Sequence, residues 1–443
     1  MVASERTEVR EETRLRRRDV HVIAVATVGW TIDILDLMVV LNVASAVSKA
    51  FFPAEKPMLA LTATYASFGI SLVVRPLGSL LFGSLADRAG RRRSMAIAVL
   101  GSGVATALLG LLPGIGTIGL LAPIGLILMR VVQGVFIGGI TASTHTLATE
   151  SVPERFRGLT SGIIKGGGAS LGVAVINVAI LVLVAVLGEP AFAAWGWRLV
   201  FVFGLVASVL NYALLRKTEE SPLWRQNRES AATGRPGHVL FSKQWRGRVL
   251  SSIVIVFTGS AAYYVTTGIL PTVYKQVFKV DQRTASSLML ITMIGGVLIG
   301  AIGGHLSQHA GRRKVLLVSG AAALVCIPGT YVLLDALAEP GTAVLLLGGF
   351  LMVVVSGAVT SPLIIFLNER FPTEIRSTAT AFTWTVGYGL GGMMPTLVTA
   401  VSPDTGSMLP TLIVLSLAIS VVFLVSVARS AETRGALNNP TPS

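Results

Sequence analysis

The segment GSLADRAGRRR at 83–93 returns as GHLSQHAGRRK at 304–314, and TESVPERFRG at 149–158 returns as NERFPTEIRS at 368–377. The offsets, 221 and 219 residues, are close to half of the 443-residue chain. Two independent matches at nearly one offset imply a duplicated unit. What each copy contains follows from the sequence around it. Apolar runs of about twenty or more residues recur along nearly the whole chain, and a bilayer core of ~30 Å needs ~20 apolar residues at 1.5 Å each. Twelve spans are read, at 21–46, 58–86, 94–113, 118–148, 159–187 and 196–215, then 248–274, 284–308, 313–334, 342–368, 377–401 and 407–429. The expected fold class is an all-α membrane protein, with twelve transmembrane helices as two six-helix pseudo-repeats.

Composition agrees. The chain is 52% apolar and 13% charged, against 45–50% and 25% for an ordinary soluble domain, which excludes a soluble enzyme. The net charge of +14 would suggest nucleic acid in a soluble protein. Here most Lys and Arg fall on the face that carries the N-terminus, so the charge reports topology and anionic lipid. No polar segment is long enough to fold around a duplex. The expected layout is a cytoplasmic tail at 1–20, a six-helix bundle at 21–215, a basic cytoplasmic linker at 216–247, a second bundle at 248–429 and a cytoplasmic tail at 430–443. An even number of spans puts both termini inside. The first twenty residues have no apolar core or cleavage site and do not read as a signal peptide. Cys326, the single cysteine, lies in an apolar run, so there is no disulfide framework or Cys-rich metal site.

Several motifs carry a family resemblance. GSLADRAGRRR from Gly83, its partner GRRK in the second half and RVVQG from Arg130 resemble signatures of the major facilitator superfamily. FFP at 51–53, RPLGSLLFGSLADRAGRR from Arg75, TIGLLAPIGLILMRVVQG from Thr117, WGWR at 195–198 and EESPLW from Glu219 resemble the metabolite:proton symporter family. The likeness is densest in the N-terminal half. It implies the major facilitator fold, a substrate site between the halves near mid-membrane, and Arg75 and Arg130 facing the translocation path.

Ionisable groups at membrane depth cost ~2.5–3.5 kcal/mol each on insertion scales, so few persist without a use. Asp33 and Asp36 are spaced i, i+3, and Asp33 lies ~18 Å in from residue 21. Two carboxylates in low dielectric favour protonation of at least one, which proton coupling requires. The alternative is that one acid neutralises an Arg on another helix. Arg130 in the fourth span and Arg75 in the second lie at similar depth. A guanidinium facing a cavity is a fork for a carboxylate unless it is already paired: Arg130 with Asp33 or Asp36, Arg75 within its own bundle. Lys165 lies ~10 Å inside the fifth span and either reaches the substrate or snorkels to the surface. His145 is a candidate proton relay or a neutral, hydrogen-bonded histidine.

The repeated loop reads as a mechanical element. Gly83 permits close helix approach, Gly90 suits a left-handed helix end, and Asp87 can pair with Arg91 or Arg92. By resemblance, Gly83, Asp87, Gly90, Arg91 and Arg92 form a latch between the halves. Gln308 replaces the acid in the second copy, so a weaker latch is expected there. No charge lies deep in the C-terminal half, so contacts there fall to Tyr263, Tyr264 and Thr267 and to Trp384 and Tyr388, spaced i, i+4. These can equally be packing aromatics.

GGG at 166–168 lies inside a span and is not a phosphate cradle, and no Walker-type lysine loop is present. The expectation is a secondary transporter of the cell membrane, with no cofactor and no metal, functional as a monomer. It would import a small organic anion, a carboxylate, with protons. Asp33 and Asp36 would carry the proton, and Arg75, Arg130, Lys165, Tyr263, Tyr264, Trp384 and Tyr388 would hold the substrate. A zwitterionic osmolyte such as betaine or proline is the alternative, then a proton-driven exporter. A transport-dead sensor is the reading from another class.

Overall fold

The computed structural model describes residues 15, 17–53, 55–89, 91–150, 152–216, 242–337 and 339–435, without the side chains of 18, 83, 84, 86–89, 91, 92, 140–150, 154, 215, 373, 374 and 377. Twelve long helical segments follow one another: α1 (Arg17–Asn42), α2 (Pro57–Ala89), α3 (Arg91–Leu111), α4 (Leu121–Glu150), α5 (Arg157–Leu187), α6 (Glu189–Leu214), α7 (Arg246–Val277), α8 (Gln282–Ala310), α9 (Arg312–Ala336), α10 (Thr342–Arg370), α11 (373–401) and α12 (Met408–Ala428). Eleven of them, among the described residues, are long and apolar enough to cross a membrane. The other, α11, is interrupted at Met393 and carries Thr380, Thr383, Thr385, Trp384 and Tyr388. These side chains are all buried, so α11 turns its polar face inward and needs less apolar surface. Leu80, Val186, Val325 and Leu347, by contrast, are large, apolar and exposed on the outer wall, as a lipid-facing surface requires.

Some boundaries differ from those read in the sequence. The loop expected between 187 and 196 is helical from Glu189 onward, and Gly188 alone joins α5 to α6. Its φ of +80° is the left-handed geometry that glycine adopts without cost, and Pro190 in the next turn needs no N–H partner. Gly311, at φ +99°, joins α8 to α9 in the same way. The first span ends at Asn42 rather than 46, and a separate turn, Ala44–Phe51, follows it. The linker expected at 216–247 lies outside the described residues from 217 to 241.

The first six and the last six helices meet along two seams. Gly158, Gly162 and Gly166 of α5 face Gly300 and Gly304 of α8. A Cβ on Gly162 would sit 2.2 Å from the Gly300 carbonyl oxygen, so the backbones touch. The second seam joins α2 to α11 at Leu72, Gly389 and Gly392. The α5–α8 glycines close the end of the bundle that carries the repeated basic loops. At the far end the Glu189 carboxylate accepts from the backbone N–H groups of Gln282 (3.3 Å) and Arg283 (2.8 Å). Gln276 Nε2 donates to Ser45 Oγ at 2.7 Å, and Tyr65 Oη lies 2.5 Å from Thr272 Oγ1. The halves thus make contacts at both ends among the described residues.

Candidate functional site

Charged groups meet at the middle of the first six helices. The Arg75 guanidinium donates to Asp33 Oδ1 at 3.2 Å, and both side chains are almost fully buried. Close approach of α2 and α4 positions Arg75: a Cβ on Gly138 would lie 2.2 Å from the Arg75 carbonyl oxygen. Asp36 turns elsewhere. Thr106 of α3 donates to its Oδ1, Gln133 Nε2 donates to Thr106 Oγ1 at 2.6 Å, and Arg130 donates to Gln133 Oε1. Positions three apart on a helix are ~60° apart around its axis, enough to aim the two acids at different neighbours. They therefore sit in two networks, Asp33 with Arg75 and Asp36 with Thr106, Gln133 and Arg130.

Lys165 is buried, with 1% of its surface exposed, and does not snorkel. Its Nζ lies 5.4 Å from the ring centre of Trp30, 5.5 Å from Tyr263, 5.2 Å from Trp384 and 5.0 Å from Tyr388. Two of these rings come from the N-terminal half's partner helix α11, one from α7 and one from α1, so the box spans the interface between halves. Each ring face attracts a cation. Among the described residues the ammonium has no hydrogen-bond acceptor. Two π-helical turns build this arrangement, 163–167 around Lys165 and 264–268 after Tyr263. The extra residue in each re-aims the side chains, as such turns do at functional sites. GGG at 166–168 serves packing, with Gly166 and Gly167 against Gly300.

Trp384 and Tyr388 stack at 5.1 Å and 20°, and Tyr264 packs against Tyr388 (5.4 Å) and Phe68 (5.7 Å). Among the described residues, Tyr263 Oη, Thr267 Oγ1 and Arg75 Nε are buried donors with no partner. The enclosed space thus has aromatic walls, spare donors and one carboxylate already paired. Three cations, Arg75, Arg130 and Lys165, stand against Asp33 and Asp36. With all five ionised the site carries one uncompensated positive charge.

Sequence reasoning missed Trp30, Thr106 and Gln133. Trp30 lies three residues before Asp33 and Gln133 three after Arg130, so helical spacing could have found both. Thr106 has no signal of its own. Gly90 lies outside the described residues, as do the side chains of Gly83, Asp87, Arg91 and Arg92 in the expected latch and that of His145. In the second copy, Arg312 donates to Glu369 twice at 3.1 Å, to Ser307 at 2.8 Å and to Gln308 at 2.6 Å. Thr433 adds a bond to Glu369 at 3.0 Å, and Glu432 accepts from the backbone N–H of Arg312 at 2.8 Å. Acids from α10 and the C-terminal segment thus stand around the position that Gln308 leaves neutral.

The sequence profile described as Major Facilitator Superfamily matches residues 28–396. The chain belongs to the major facilitator superfamily. Similar curated proteins include the proline/betaine transporter of Escherichia coli strain K12, 28% identical over 387 residues, covering 85% of this chain and 76% of that one. The inner membrane metabolite transport protein YhjE of the same strain is 29% identical over 405 residues, covering 88% and 89%. The citrate-proton symporter of Klebsiella pneumoniae is 27% identical over 369 residues, covering 82% and 81%. A crystal structure of D-xylose-proton symporter superposes with a TM-score of 0.71 at 17% identity, covering 94% of this chain and 99% of that one, which shows a common fold. This superfamily member has the multi-pass membrane transporter fold.

Proposed function

We propose that this transporter imports a small organic anion, a carboxylate, in symport with protons, by rocking of its two halves around the central site. One observation carries the reading: the buried Lys165 ammonium, attracted by the Asp33 carboxylate, stands inside a four-ring box between the halves with no hydrogen-bond acceptor among the described residues. A buried ammonium without an acceptor is costly, and a substrate carboxylate supplies what it lacks. In this reading a proton on Asp33 releases Arg75, whose fork then shares the substrate carboxylate with Lys165. Asp36 holds the second proton position, braced by Thr106 and, through Gln133, by Arg130. Tyr263, Tyr264, Trp384 and Tyr388 wall the passenger. The basic end faces the cytoplasm by the positive-inside rule, with both termini there, and the single chain works as a monomer. The names of similar proteins support the inner membrane as its location.

A second reading has its own support. Four aromatic rings around a cation also suit a quaternary ammonium, and proline/betaine transporters are among the similar proteins. The two readings differ in charge. A monocarboxylate with one proton moves no net charge, whereas a zwitterion with one proton moves one, worth ~2.3 kcal/mol per 100 mV.

The test is uptake into proteoliposomes under an inward acid gradient, with labelled mono-, di- and aromatic carboxylates and glycine betaine. Accumulation that an uncoupler abolishes is expected. Uptake indifferent to pH would remove the symport. Monocarboxylate uptake unaffected by a potassium diffusion potential supports the anion, and betaine uptake driven by it supports the zwitterion.

A further inference from the structure

Away from the central site, two arginines meet at the basic end of the C-terminal half, where α7, α10 and α12 converge. Arg370, at the end of α10, donates through one terminal nitrogen to Ser430 Oγ (3.0 Å) and through the other to Ser251 Oγ (2.6 Å). Its guanidinium lies over the Phe366 ring at 5.2 Å. Arg248, in the first turn of α7, donates to the Arg370 carbonyl oxygen at 3.1 Å and lies over Trp245 at 5.1 Å. The two guanidinium charges repel each other. Among the described residues neither has a carboxylate partner. Two fully buried arginines of this fold do have one, Arg75 in Asp33 and Arg312 in Glu369.

Both arginines are half-buried. Two residues on from Arg248, Leu250 is 61% exposed on the lipid-facing wall, and Trp245 has the amphipathic ring found at headgroup level. Two guanidinium groups and an interfacial tryptophan next to acyl chains make a receptor for a phosphate oxyanion, while the hydroxyls of Ser251 and Ser430, which donate to the Arg248 and Ser426 carbonyls, hold Arg370 in place.

The geometry points to a binding site for the phosphate of an anionic phospholipid, formed by Arg248 and by Arg370 as Ser251 and Ser430 position it, in the leaflet at the basic end. The lipid phosphate supplies a compensating charge that no carboxylate among the described residues supplies there. It also ties α7 to α10 and α12, so occupancy stiffens the C-terminal half.

Native mass spectrometry of the full-length protein tests this, with phosphatidylglycerol, phosphatidylcholine and inorganic phosphate as probes. The wild type should retain phosphatidylglycerol over phosphatidylcholine. Arg248→Gln should reduce that preference about five-fold and the double change with Arg370→Gln about thirty-fold, from ~1 kcal/mol per basic residue at an anionic surface. Arg248→Lys should keep most of the preference. Arg248→Gln alone loses one described bond and keeps the fold, so the test does not depend on the double variant. Equal retention in wild type and Arg248→Gln overturns the site. Displacement of the lipid by inorganic phosphate at equal concentration would assign the arginines to a soluble anion and overturn the lipid.

Discussion

The Asp33 carboxylate and the Arg75 guanidinium lie 3.2 Å apart, each nearly fully buried. Breaking such a pair by removing one partner leaves the other charge uncompensated, which costs ~3–5 kcal/mol. Protonation does the same chemically, so a proton on Asp33 makes Arg75 seek another anion. Asp33→Asn should therefore bind carboxylate at neutral pH and catalyse counterflow exchange while losing uphill uptake. Accumulation at the wild-type level in this variant would move the coupling to another group.

Lys165 is expected to set carboxylate affinity. Lys165→Met keeps the volume of the chain inside the box of Trp30, Tyr263, Trp384 and Tyr388 and removes the charge. A charge-assisted hydrogen bond is worth ~1.5–3 kcal/mol, so carboxylate binding should weaken by roughly 10- to 100-fold in calorimetry, with the helical content unchanged. Trp384→Leu opens one wall of the same box and should weaken binding less. Unaltered carboxylate affinity in Lys165→Met would leave the anion reading without its main support.

The duplicated fold was legible because every span must be apolar for its own length, a constraint local to each segment. The deep charges Asp33, Asp36, Arg75, Arg130 and Lys165 stood out for the same reason. Partners were a different matter. Asp33 and Asp36 share one helix face by spacing, yet α2 claims one and α3 the other, because pairing depends on which helices flank α1. Lys165 looked shallow by residue count, but contact between Gly166, Gly167 and Gly300 brings α8 against α5 and seals it in. The π-helical turns at 163–167 and 264–268 shift the face on which side chains emerge, and a 3.6-residue period does not foresee them. Thr106 becomes part of the site only through a neighbour on another helix.

Glu189 should hold the far end shut. Its carboxylate accepts from the first two N–H groups of α8, reaching from one half to the other, while the α8 cap Asp281 serves Thr284 at 2.6 Å. Opening this end strips two helix-terminal donors of their acceptor, which the macrodipole makes unfavourable. Glu189→Ala should shift the population toward the state open at the far end. Spin labels at the exposed Lys49 and Lys279, on opposite halves at this end, should report longer distances in Glu189→Ala than in the unchanged protein. Identical distance distributions would show that the other far-end contacts suffice.

The opposite end closes on glycine, and this makes a sharper prediction. A Cβ on Gly162 would fall 2.2 Å from the Gly300 carbonyl oxygen and 2.9 Å from the Gly304 Cα, both backbone atoms that cannot swing aside. Gly162→Leu should therefore keep α5 and α8 apart at the basic end without touching the charged core. The protein should still bind substrate and remain folded, because each half keeps its own internal packing, while the carrier no longer reaches the occluded state. Uptake should fall at least ten-fold with binding affinity within a few-fold of wild type, and Gly162→Ala should lie between the two. Full transport by Gly162→Leu would mean that the α5–α8 contact is not made during the cycle.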